Sequence, residues 1–145
     1  MNHPGGCHCG NLQVEFASEI DPALIEVRAC QCAFCRKHNS RAIADPAGHL
    51  AVVIGNKNEL NRYTFGLRTA EYLVCRVCGV YAAAVTTGDD EPRAIAILNC
   101  LDGQDQFSRT PIAMSYDGET PDARIARRQQ RWMPVTISIR QPAAT

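Results

Sequence analysis

Apolar and polar positions alternate along much of the chain. In Asn11–Phe16, Leu12, Val14 and Phe16 interleave with Asn11, Gln13 and Glu15. That period of two is what a half-buried strand requires. Ile25–Arg28 alternates in the same way and leads into a cysteine cluster. Leu50–Ile54 and Leu60–Phe65 are apolar runs separated by GNKNE, whose Gly55, Asn56 and Asn58 predict a hairpin turn. Ala70–Cys75 and Val80–Thr86 flank a second cysteine pair, and Ala94–Leu101 is apolar enough for a central strand. Val135, Ile137 and Ile139 alternate near the end. Helical periodicity is scarce. A short helical turn is expected after Cys35. Asp122–Trp132 reads as a second helix, with Asp122 as its N-cap after Pro121. The fold class predicted is mainly β, with few short helices, in one domain spanning 1–145.

Composition narrows the function. A chain of 145 residues can build one real core, but not a second domain of ordinary size. Fifteen basic residues balance fifteen acidic ones, which weighs against nucleic acid and membrane surfaces as partners. The opening MNHPGGCHCG has neither a charged nor an apolar signal region, and no run of 18 apolar residues occurs. The expected location is the cytoplasm, where thiols stay reduced.

Eight cysteines in such a chain change the picture. Seven are clustered, as Cys7-x-Cys9, Cys30-x-Cys32-x-x-Cys35 and Cys75-x-x-Cys78. Clustering is what metal ligation predicts and simple burial does not. CHCG and CRVCG both end in Cys-Gly. A glycine there lets the backbone take positive φ and turn its N–H groups toward the sulfurs. Two such knuckles make a closed four-thiolate zinc site from Cys7, Cys9, Cys75 and Cys78. Cys30, Cys32 and Cys35 then stand alone, three ligands with one open position. A zinc held by three thiolates suits a soft fourth ligand such as a thiol. From within the chain, Cys100 and His38 are candidates for that position, and His8 is a weaker one. Cys100 also reads as a buried thiol in an apolar strand, and His38 as a surface residue or a base.

The motifs GGCHCGNLQVEF, CQCAFCRKHNS, YTFG, YLVCRVCGVY and LNCLDG run in order over residues 5–103. With them the chain resembles the glutathione-dependent formaldehyde-activating enzymes, also called the centromere protein V-type family. The resemblance implies an Mss4-like zinc-binding β-sheet fold. It implies a structural zinc on Cys7, Cys9, Cys75 and Cys78, and a second zinc on Cys30, Cys32 and Cys35 open to an outside ligand. It also implies a carbon–sulfur lyase activity in which glutathione adds to formaldehyde. Gln31 stands where members often carry His, and Asn39 and Ser40 occupy a stretch where Gly is common. Residues 104–145 form a divergent C-terminal part.

Two functions are expected from these residues. In the first, an enzyme, a thiol such as glutathione takes the open position and attacks an aldehyde such as formaldehyde. Arg36, Lys37 and Arg41 are then candidates to meet its carboxylates. The alternative is a zinc-stabilised binding module without catalysis. Its best surface would be Arg124, Arg127, Arg128 and Arg131, at i, i+3, i+4 and i+7 of the second helix. A solvated helix face is the plainer account of that stripe. Seven thiolates against two zinc ions would also pull the net charge below zero, further from nucleic-acid binding.

Overall fold

A computed structural model describes residues 1–140; the last five of the expected 1–145 domain lie outside the described residues. The chain is mostly β, with eleven strands in one connected sheet and two α-helices among the described residues. One limb holds β1 (Asn2–Gly6), β2 (Leu12–Ala17) and β5 (His49–Ile54). The other holds β3 (Arg28–Cys30), β4 (Ala42–Ile43), β6 (Leu60–Tyr63), β7 (Ala70–Cys75), β8 (Tyr81–Thr86), β9 (Arg93–Ile97) and β10 (Ile112–Met114). β11 (Met133–Ile139) joins them. Its Val135–Ile139 runs parallel to Leu50–Ile54, while Met133 and Pro134 pair antiparallel with β9.

The period-two segments behave as their patterns require. Leu12, Val14 and Phe16 are buried, and the residues between them face solvent. They pack with Leu50, Val52, Ile54, Leu73, Leu98 and Met133 in the main core. Each such side chain contributes roughly 1.5–3 kcal/mol through burial. β9 is central, pairing with β4, β8 and β11, although the run predicted to reach Leu101 leaves the sheet at Ile97 for a 3-10 turn over Leu98–Cys100.

Three local expectations are corrected. The runs at 50–54 and 60–65 do not form a hairpin. β5 already has β2 on one edge and β11 on the other, so β6 pairs with β7 instead. Ile25 and Val27 are buried, but pairing begins only at Arg28; a 3-10 turn occupies Pro22–Leu24. The second helix, α2 (Pro121–Arg131), is capped by Thr120, not Asp122. Thr120 Oγ1 accepts the N–H of Ala123 at 3.1 Å, and Pro121, with no N–H to satisfy, takes the first helical position.

Candidate metal centres and the adjoining cavity

Cys7 and Cys9 lie in the loop between β1 and β2, whereas Cys75 ends β7 and Cys78 lies in the turn before β8. The four sulfurs lie within 4.8 Å of one another. Cys7 and Cys9 are 3.7 Å apart, and Cys9 and Cys75 are 3.5 Å apart. A tetrahedron with metal–sulfur bonds of about 2.3 Å has edges of about 3.8 Å, so the spacing fits a zinc-like ion. The knuckles form as the Cys-Gly repeats predict. Gly10 and Gly79 take φ of 87° and 80°, and the N–H groups of Leu12 and Cys78 point at the sulfurs of Cys7 and Cys75 at 3.2 and 3.5 Å. The cluster joins the β1–β2 loop of one limb to the β7–β8 turn of the other.

The second cluster is local. Cys30 ends β3, Cys32 caps α1 (Ala33–His38), and Cys35 sits on its inner face. Their sulfurs also lie within 4.8 Å of one another. The Cys35 N–H reaches Cys32 Sγ at 3.4 Å. Asn39 closes the helix in the left-handed region at φ 49°, a conformation Asn tolerates, so the turn survives without a glycine. Hydrogen bonding from Cys35 draws Cys30 down to about 5, and the same contact, with burial, pushes Cys35 far up. Both clusters present free cysteines, and both could hold a metal ion such as zinc.

Among the described residues no His, Asp, Glu or further Cys joins the trio at ligand distance. His38 turns its ring onto Phe34, with centroids 4.6 Å apart, and onto Tyr81 at 5.5 Å. Cys100 is buried, its sulfur 3.6 Å from the Ala82 carbonyl, and burial pushes its thiol up to about 12. His8 is exposed and belongs to neither cluster.

An apolar-walled cavity of about 60 Å³ opens beside Cys30 and Cys35. Its cations are not those expected from the neighbouring sequence. Arg36 and Lys37 are exposed, and Arg41 bonds to Gln104 Oε1 at 2.6 Å; none of the three lines the cavity. Arg28, Arg127 and Arg128 do. The basic stripe of α2 is therefore not a free face. Arg124 and Arg127 bind Glu119 at 2.8–3.1 Å, Arg127 lies over the Tyr116 ring at 3.6 Å, and Arg128 is buried against Trp132; Arg131 alone of the four is exposed. Tyr72 and Tyr81 complete the wall. They stand just outside and just after the Cys75–Cys78 knuckle, and the tyrosines at the two ends of YLVCRVCGVY were the signal for them. Phe34 packs on Tyr63, Phe65, Tyr72 and Tyr81, so the YTFG segment braces the helix that carries Cys35.

Comparison with known proteins supplies the wider setting. Residues 2–116 match the family model of the glutathione-dependent formaldehyde-activating enzymes, which extends a little past the motifs visible by eye. The chain is also similar to a crystal structure of a Rhodobacter sphaeroides protein, at 31% identity over 77% of this chain and 99% of that one, with a TM-score of 0.56. α2 lies beyond the matched family segment.

Proposed function

The chain belongs to the glutathione-dependent formaldehyde-activating enzyme family, and on that premise we propose that it joins a thiol to an aldehyde at the three-cysteine centre. Glutathione and formaldehyde are the model pair, and the reverse reaction is a carbon–sulfur lyase step. The observation that carries this reading is the trio itself. Three sulfurs converge, two of them from cysteines that line a cavity, and no fourth donor approaches them from the described residues. A closed structural site would use four protein ligands, as Cys7, Cys9, Cys75 and Cys78 do in this reading.

A zinc ion held by Cys30, Cys32 and Cys35 would supply a soft position that favours the thiolate form of an incoming thiol. The chain's own residues do the rest. The Cys35 N–H holds Cys32 Sγ within the first turn of the helix, and Tyr72, Tyr81 and Trp132 wall the cavity beside Cys30 and Cys35. The thiolate sulfur attacks the carbonyl carbon, and the C–S bond forms as the C=O π bond opens onto oxygen. That oxygen takes a proton from water, replacing the one the thiol released, to give the S-hydroxymethyl hemithioacetal. The reaction consumes one thiol and one aldehyde and needs no redox partner. A cytoplasmic location, a small-molecule thiol and aldehyde as partners, and two zinc ions per chain belong to the same reading.

The test uses the zinc-loaded full chain with glutathione and formaldehyde, following S-hydroxymethylglutathione above the spontaneous rate. Acceleration lost in Cys32→Ser, with the metal count falling from two to one, is the expected result. A rate no faster than the uncatalysed reaction in a fully loaded, folded protein would overturn the proposal.

A further inference from the structure

α2 places a buried cation in the cavity, and no acid answers it. Arg128 is only 5% exposed, yet no carboxylate among the described residues lies within ion-pair distance of it. Glu119, just before the helix, is already bound to both Arg124 and Arg127. The guanidinium donates from Nη1 to Thr69 Oγ1 and lies over Trp132 at 4.6 Å, but its Nε has no partner among the described residues. In the same cavity the Tyr81 hydroxyl is also buried without a hydrogen bond, at 3% exposure. Two side chains with an unanswered donor, one of them charged, line one small space beside Cys30 and Cys35.

Burying a charge without a partner is costly, and leaving a buried hydrogen-bond donor unpaired adds to that cost. Such an arrangement persists where a ligand completes it. The missing group must be an acceptor, negatively charged and small. Planar carboxylate matches the guanidinium fork, with the phenol as a further donor. A cavity of about 60 Å³ holds a few waters or one such group.

We propose that Arg128 and Tyr81, with Arg28 at the rim, form a carboxylate subsite that selects acidic thiols for the three-cysteine centre. This deepens the thiol-addition reading and rests on it. It also assigns the discrimination to a helix outside the matched family segment. The carboxylate enters the cavity and the rest of the thiol stays outside it.

The test uses the full chain with cobalt in place of zinc, reading the sulfur-to-cobalt absorption band. Mercaptoacetate and 3-mercaptopropionate are compared with their neutral counterparts, 2-mercaptoethanol and 3-mercapto-1-propanol. At least one acid should bind tenfold or more tightly than its alcohol. Arg128→Met should erase that preference while changing the alcohol's affinity less than twofold, and Tyr81→Phe should reduce it. Circular dichroism and thermal melting check that both variants fold. Equal binding of acid and alcohol by the unaltered protein would overturn the subsite. So would a preference that survives Arg128→Met. An equal loss of acid and alcohol binding would mean that Arg128 merely balances the charge of the thiolate centre, which also overturns it. If no thiol moves the cobalt band, it is the thiol reading that fails. Calorimetry with acetate then reads the subsite alone: binding lost in Arg128→Met supports it, and no binding overturns it.

Discussion

The two cysteine clusters are alike in chemistry and unlike in what surrounds them. Cys7, Cys9, Cys75 and Cys78 close on one another from loops 66 residues apart, with backbone N–H groups turned to their sulfurs. Cys30, Cys32 and Cys35 come from six consecutive residues, and on their open side stand arginines, tyrosines and a cavity. The first arrangement suits a cross-link between two limbs of the sheet. The second leaves room for another molecule. Ligand count alone hints at this division, but the polar groups around each cluster make the case.

Substitution should separate the two most sharply at the level of folding. Cys75→Ser removes a proposed ligand that would tie distant segments, and is expected to cost about 4 kcal/mol or more, or to prevent folding of the metal-loaded chain. Cys32→Ser lies in a local cluster and should leave thermal melting within a few degrees of the parent while abolishing thiol-dependent activity. If the two variants melt alike, the proposed division between a structural and a working centre fails.

The acid limb of stability probes the support behind the second centre. Hydrogen bonds from Arg127 and Arg124 hold Glu119 at about 2, below its ordinary 4.5. A carboxylate whose folded value is depressed stabilises the protein above its unfolded value, and that stability is lost as pH falls from about 4.5 through about 2. After allowance for solvent screening, Glu119→Gln should cost about 1–2 kcal/mol at neutral pH. It should also flatten the stability profile in that acid window. Urea titration from pH 2 to 7 measures both. An unchanged acid profile would show that the Glu119 pairs do not anchor α2.

The smallest effect expected is at the start of the same helix. Thr120→Ala removes the hydroxyl that accepts the Ala123 N–H, at about 1 kcal/mol. Asp122→Ala should cost less, since Asp122 is not the cap. A melt showing the reverse order would restore Asp122 to the capping role that its position after Pro121 suggested.

Several elements were legible from pattern alone because their causes are local. The period-two burial of Leu12, Val14 and Phe16 needs only a core on one side. The Cys-Gly knuckles need only a residue that accepts positive φ, and Gly10 and Gly79 supply it. The trio at Cys30–Cys35 is assembled by one strand end and one helical turn. The 50–65 hairpin misled because adjacency in sequence competes with edges already taken by β2 and β11, and that competition is not written in the segment itself.

By itself, then, the sequence determined the β character, the grouping of seven cysteines into two sets and the family that their order identifies. Those properties follow from side-chain chemistry and short-range geometry. Only the tertiary structure decided which cations meet the second centre. Arg36, Lys37 and Arg41 are its neighbours in the chain, yet Arg28, Arg127 and Arg128 line its cavity. The physical reason is that α2 returns from the far end of the chain to bury Trp132 and Arg128 in the core that also holds Tyr81 and Ala42. A stripe that looks like a solvated face in one dimension becomes a cavity wall in three.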